Sequence, residues 1–239
     1  MKKPYDTNFT GLKSYFYGFS NSVFFLFFFN LRYKRWEIKI KNGGIKGVNS
    51  TIRRYQAVDL MIWSIILFVF EFIVVKAGSV WFRAQLWTLS IVPALVAVVY
   101  MRWSAFGVLY SALGGIALCF ASGASTQQYL IYTLGNLFSV VLLLFLKFIG
   151  KEKIRDSVFT SIIFALASAL SMQIGRGVVA ALLGNGIGSI VTFIATDIIS
   201  ELFAILIICI TRKLDGVFED QISYLVRVNN EENEKGGRE

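Results

Sequence analysis

Residues 157–183 read SVFTSIIFALASALSMQIGRGVVAALL, a run with one charged residue, Arg176, in its whole length. A helix crosses the hydrocarbon core of a bilayer with about 20 apolar residues, so this stretch is long enough to span and has room to tilt. Ser161, Ala165, Ala169, Gly177 and Ala181 recur in it at four-residue spacing, broken only by Gln173. Such a stripe of small side chains lets a second helix backbone approach closely. Packing inside the same bundle is its simplest use. Docking of another protein on Ala165, Ala169 and Gly177 is the alternative.

Five more apolar stretches flank it. After the turn Gly184-Asn185-Gly186 comes 187–211; upstream lie 129–148, 104–120, 87–101 and 57–76. The stretch 87–101 is short and contains Pro93, which is expected to kink a helix and free a carbonyl. With 56% hydrophobic residues in 239, six spans use roughly half the chain. The expected fold is an all-α integral membrane protein of six transmembrane helices. It divides into a basic N-terminal segment (1–56), a transmembrane domain (57–211) and a polar tail (212–239). Residues 23–29, VFFLFFF, are too few to span and are followed at once by Arg32. They suit a segment at the bilayer surface, aromatics in the interface and bases on anionic headgroups. A cleaved leader needs a longer apolar core and a small-residue cleavage site, which this segment lacks.

Basic residues set the orientation, because Lys and Arg in short loops stay in the cytoplasm. Eleven lie before the first span and five in the tail, with Arg102, Lys147, Lys151, Lys153 and Arg155 in loops on the same side. Lys76 and Arg83 alone fall on the opposite side. Both termini are therefore expected in the cytoplasm, in a multi-pass protein of the cell membrane.

The chain contains no histidine, which removes His-dependent acid–base chemistry, Ser-His and Cys-His nucleophile pairs and His-ligated metals. Cys119 and Cys209 both sit in apolar runs and read as small core residues. Gly44–Thr51 superficially resembles a phosphate loop but lacks the Gly-Lys-Ser/Thr ending. No nucleotide, metal or cofactor signature is present, no enzyme is indicated, and the basic N-terminus next to a membrane is better matched to lipid than to nucleic acid.

Ionisable groups inside spans are costly unless paired, and mark candidate sites. At about 1.5 Å per residue, Glu71 falls near the outer end of its helix and Asn136 about two turns below the outer end of its own. Gln173 and Arg176 fall in the outer half, and Asp197 near mid-membrane with Glu201 one turn deeper. Arg83 and Gln85 lie in the outer loop or at the start of the next helix. The polar groups thus share the outer half, as an outward-opening pocket requires. A plain structural lock, Arg176 paired with Asp197 or Glu71, is the simpler alternative, but it leaves Asn136, Gln173 and Arg83 unexplained. Trp81 and Tyr129 suit an interfacial belt, whereas Trp87 and Tyr132 are placed to stack on a flat ligand. In the tail, Phe218, Ile222, Leu225 and Val226 fit one face of a short amphipathic helix, which can pack on the bundle or on a cytoplasmic partner.

Six helices with both ends inside, a short chain, an outer polar pocket and no nucleotide site make residues 50–215 resemble the substrate-binding (S) component of energy-coupling factor (ECF) transporters. That family carries an Ala-x-x-x-Ala motif on its first helix, where this chain reads Ala57-Val58-Asp59-Leu60-Met61. The resemblance implies capture of a vitamin-like micronutrient, with a transmembrane coupling protein and ATPases as partners. Without histidine, an organic ligand is implied rather than nickel or cobalt. The resulting expectation is a substrate-capture subunit for a small polar or aromatic organic ligand, with Glu71, Arg83, Trp87, Tyr132, Asn136, Gln173, Arg176 and Asp197 lining the site. A membrane interaction or scaffold subunit, docking through Ala165, Ala169, Gly177, Phe218 and Leu225, is the second reading. A proton-coupled carrier using Asp197 or Glu201 is the third.

Overall fold

The computed structural model describes residues 45–81 and 88–236, with side chains described over 52–81 and 88–231. The Val23–Phe29 knot and the residues Arg83, Gln85 and Trp87 lie outside the described residues. Every regular element among the described residues is helical.

The first helix, α1 (Ile45–Trp81), extends beyond the expected 57–76 at both ends. Asp59, Trp63, Leu67 and Glu71 recur every four residues and form its inner face, with Asp59, Leu67 and Glu71 buried. Met61, Ile65, Phe68, Phe72 and Ile73 are exposed on other faces, the distribution expected of a peripheral helix solvated by lipid.

Its neighbour in sequence is the opposite case. Every residue of α2 (Val92–Trp103) is buried. Pro93 does not kink it, contrary to expectation, because it lies in the first turn, where a missing N–H removes no intrahelical bond. The helix is 12 residues long, about 18 Å, shorter than a hydrocarbon core of about 30 Å. It is surrounded by protein on all sides.

α3 (Phe106–Ser122) closes at Gly123, whose φ of 67° supplies the left-handed residue that ends many helices. α4 (Thr126–Asn136) opens with a capping box between Ser125 and Gln128. It continues through a 3-10 turn (Leu137–Val141) into α5 (Leu142–Phe148). A short connecting helix, α6 (Lys151–Asp156), leads to α7 (Val158–Ala180), which runs on through a π turn at Ala181–Asn185. The expected single helix over 187–211 is broken into α8 (Ser189–Thr196) and α9 (Ile198–Thr211), bent by 49° at Asp197. The tail helix α10 (Gln221–Gly236) begins after Phe218, so Phe218 belongs to the connecting turn rather than to the amphipathic face.

Around α7 pack α2, α4, α6, α8 and α9. Glycines set the closest approaches. A Cβ on Gly135 would lie 2.5 Å from Arg176 Cα, one on Gly175 would lie 2.1 Å from the Gly135 carbonyl oxygen, and one on Gly115 would lie 2.6 Å from the Tyr132 carbonyl oxygen. Helices α3, α4 and α7 therefore meet backbone to backbone.

Among the described residues, three helical stretches, 52–81, 126–148 and 158–185, are long and apolar enough to cross a membrane, and the bent α8–α9 pair makes a fourth if it counts as one span. With α2 and α3 shorter, the architecture is that of a helical membrane protein with a short helix enclosed in its core.

Candidate functional site

The close approach of α4 and α7 at Gly135 sets Arg176 against α4, and three groups receive its side chain. Arg176 Nε donates to Asn136 Oδ1 at 2.8 Å, and Nη1 donates to Asp197 Oδ2 at 2.7 Å. The guanidinium carbon lies 4.6 Å from the centroid of the Tyr132 ring. Arg176 is 2% exposed and Asp197 3%. In such a low-dielectric setting the Coulomb attraction is strong and the desolvation cost comparable, so the pair holds only because hydrogen bonds satisfy it from several sides. Asp197 also accepts from the Thr88 hydroxyl, and Thr88 N–H donates to the Thr196 carbonyl at 3.1 Å. The helix thus breaks where its carboxylate is drawn to α7 and to the segment before α2.

That segment is itself tied down. Ser200 Oγ donates to the Thr88 carbonyl and accepts from Ser90 N–H. Ile91 N–H donates to Glu71 Oε2 at 2.9 Å, and Val92 N–H to Ser90 Oγ at 3.2 Å. A buried helix N-terminus needs such acceptors, and a carboxylate there also complements the helix dipole. Glu71 therefore caps α2 from another helix.

A second string of hydrogen bonds leaves from Asn136. Its Nδ2 donates to the Ser111 carbonyl at 2.9 Å, Ser111 Oγ donates to the Asn136 carbonyl at 3.0 Å, and Ser139 Oγ donates to Ser111 Oγ at 2.8 Å. Tyr100 closes the string against Ser139 at 3.0 Å.

Against this web, five buried side-chain atoms have no hydrogen-bond partner among the described residues: Glu71 Oε1, both Gln173 Oε1 and Nε2, Arg176 Nη2 and Glu201 Oε1. They belong to one neighbourhood. Arg176 lies within electrostatic reach of Glu71, Glu201 faces Gln173 and Asp197, and Gln173 and Arg176 are one turn apart on α7. Unpartnered buried polar groups cost about 1–3 kcal/mol each and are rare in native interiors. Their concentration at one place makes this the candidate site.

Of the residues singled out from sequence, Glu71, Tyr132, Asn136, Gln173, Arg176 and Asp197 are brought together here; Arg83 and Trp87 are outside the described residues. Ala165 and Ala169 are fully buried, Gly177 abuts Ile190 of α8, and Phe218 is buried in the turn before α10. These four are occupied in packing within the chain; Leu225 is half-buried on α10. Sequence reasoning missed Thr88, Ser90, Ser200, Ser111, Ser139 and Tyr100. It also missed a second buried pair at the other end of α2. There Arg102 Nε and Nη2 donate to the two oxygens of Asp59, at 3.0 and 2.5 Å, Trp103 Nε1 donates to Asp59 Oδ2 at 2.6 Å, and Arg102 Nη1 donates to the Gly216 carbonyl. Asp59 was visible as an acid in an apolar run, three four-residue steps before Glu71. Glu219 joins the same end, accepting from Arg155 and Arg227 at 2.7 Å each. Arg155, Arg212, Lys213, Arg227 and Glu219 line a cavity of about 500 Å³ there.

No protein-family model matches the sequence, and comparison with curated proteins and with solved structures finds no match.

Proposed function

We propose that this protein is the membrane-embedded substrate-capture subunit of a micronutrient uptake transporter, crossing the cell membrane six times with both termini in the cytoplasm. In this reading it resembles the S components of ECF transporters and hands its ligand to a transmembrane coupling protein and ATPases. The observation that carries the proposal is the set of five buried polar atoms around Arg176 that have no hydrogen-bond partner among the described residues. A lock built only to hold helices together is satisfied by the Arg176–Asp197–Asn136 bonds; Gln173, 1% exposed and facing Glu201, has no well-formed hydrogen bond at either end of its amide among the described residues and adds nothing to that lock. A small polar ligand supplies the missing partners. The six-crossing orientation is supported by the gathering of Arg102, Arg155, Arg212 and Arg227 around residues 215–219 and α6, since bases concentrate on the cytoplasmic side.

Gln173→Leu separates capture from scaffolding. It removes two unsatisfied groups without touching the ion pair, so the ligand-free protein is expected to melt at a higher temperature, by the equivalent of about 1–3 kcal/mol. The same variant is expected to lose the small molecule that wild-type protein retains, read by native mass spectrometry after mild purification. A wild type that carries no small molecule, or a Gln173→Leu protein that retains it in full, overturns the proposal.

A further inference from the structure

The cavity of about 500 Å³ beside residues 212–219 shares no residue with the Arg176 cluster, and its charges fall into two groups. The acids are matched within the chain. Arg155 holds Asp156 at 2.9 Å and Glu219 at 2.7 Å, and Arg227 holds Asp215 at 2.6 Å and Glu219 at 2.7 Å. Arg212 and Lys213, which follow the last residue of α9, form no ion pair with a carboxylate among the described residues. Arg212 Nε and Nη2 instead donate to the Arg155 carbonyl at 3.3 and 3.0 Å, and Nη2 also donates to the Asp156 carbonyl at 2.8 Å. A base at these last carbonyls caps the C-terminus of α6. The cap fixes the guanidinium and leaves Nη1 without a bond to the described residues. Lys213 is exposed. Four bases line the cavity against three acids, one positive charge in excess among the described residues. The complement is an anion of single charge.

The surface next to the cavity narrows the kind of anion. On α9, Ile198, Leu202, Leu206 and Ile210 recur at four-residue spacing, each more than half exposed. Leu214, 52% exposed, continues the row past the end of the helix and itself lines the cavity. From Ile198 to Ile210 the row rises about 18 Å, close to one leaflet of a hydrocarbon core about 30 Å thick. Val158 and Phe159, exposed at the start of α7 beside Asp156, add a second apolar surface where α7 packs on α9. A soluble anion uses the cavity alone. A phospholipid uses the cavity and the row together.

We propose that this cavity is the headgroup site of one anionic phospholipid. Its singly charged phosphodiester lies against Arg212 Nη1 and the Lys213 ammonium, and an acyl chain follows the row from Ile210 to Ile198. Basic pockets at the ends of membrane helices bind anionic headgroups in this way, and a guanidinium matches phosphate oxygens geometrically. Arg155 and Arg227 keep their ion pairs and form the wall. A phosphomonoester, carrying nearly two charges, is disfavoured because it exceeds the single positive charge and meets Asp156, Asp215 and Glu219.

The test is native mass spectrometry of the full chain, delipidated in mild detergent and titrated with dioleoylphosphatidylglycerol or dioleoylphosphatidylcholine. One phosphatidylglycerol per chain is expected, bound about tenfold more tightly than phosphatidylcholine. Lys213→Gln is expected to weaken it about fivefold, and Lys213→Arg to restore it. Lys147→Gln, at an exposed base at the end of α5 outside the cavity, is expected to leave binding unchanged. Arg212→Gln is expected to weaken binding further; because it also removes the α6 cap, a thermal melt accompanies it, and Lys213→Gln decides the outcome if it unfolds. Inorganic phosphate, matched in ionic strength by chloride, is expected not to displace the lipid. Equal affinity for the two lipids, or equal losses in Lys213→Gln and Lys147→Gln, overturns the proposal. Displacement by phosphate also overturns it and makes the cavity a site for a soluble phosphate compound. None of these results bears on the small molecule held at Arg176, so the capture reading stands or falls separately.

Discussion

Arg176 and Gln173 sit one turn apart on the same helix and play opposite parts. The arginine is bonded on two nitrogens and stacked on Tyr132; the glutamine is buried, faces Glu201 and has no well-formed hydrogen bond among the described residues. Truncating Arg176 strands Asp197 without its counter-charge, so Arg176→Ala is expected to cost about 3–5 kcal/mol in unfolding measurements. The double variant Arg176→Ala/Asp197→Ala is expected to cost clearly less than the sum of the two single changes, which a double-mutant cycle reads directly. At this scale much of the site was legible, because a charge or amide inside an apolar run stands out against its surroundings. The hydroxyls were not. Serine and threonine in a membrane helix can bond back to their own turn, as Ser64 and Ser122 do, so nothing in the sequence separates them from Ser200 and Ser139, which bond across helices. Arg102 was legible as a base but not as the partner of Asp59, since a residue at the end of a span reads equally well as a loop charge.

Helices in this protein are positioned by what they lack as much as by what they carry. Gly135 has no side chain where α7 passes, and a Cβ there meets backbone that cannot yield. Gly135→Val is therefore expected to force α4 from α7, lowering stability by at least the about 1–3 kcal/mol typical of overpacking, and to disturb the Arg176–Asn136 bond. The measurements are a thermal melt and the ligand occupancy of the folded fraction. The lengths and positions of α3, α4 and α7 follow from hydrophobic runs and their flanking caps. The break at Asp197 does not, because no proline or glycine marks it; a long-range ion pair bends the chain there. Outside the spans, α6 carries a pH signature. Burial lowers the ammonium pKa of Lys151 from its ordinary value, with Asp220 offsetting part of the effect. The unfolded chain then binds more protons than the folded one just below the ordinary lysine value, so this residue's contribution to stability is expected to rise with pH through that alkaline window. Lys151→Met is expected to flatten that rise.

For the molecule as a whole, the orientation sets which surfaces meet which compartment. In a background with Cys119 and Cys209 replaced by serine, a cysteine at exposed Ser79 is expected to react with an impermeant thiol reagent added to intact cells. One at exposed Lys213 is expected to react only after permeabilisation. Equal labelling of both sites contradicts the six-crossing arrangement. The number of spans was less legible than their existence, because hydropathy reports how apolar a stretch is and not what covers it: lipid around α1 and protein around α2 leave the same mark on composition.

The enclosure of α2 has a consequence for how the protein is made. A 12-residue helix shorter than the hydrocarbon core, with its N-terminus capped by a carboxylate from α1 and by the Ser90 hydroxyl and the segment before it held by Ser200, is expected to have no stable place in lipid when it first leaves the ribosome. One of its walls, α3, follows at once, but α7 and α9 are synthesised later. The enclosure of this helix is therefore expected to be completed only when α7 and α9 have followed it, so that its assembly depends on late helices as well as early ones.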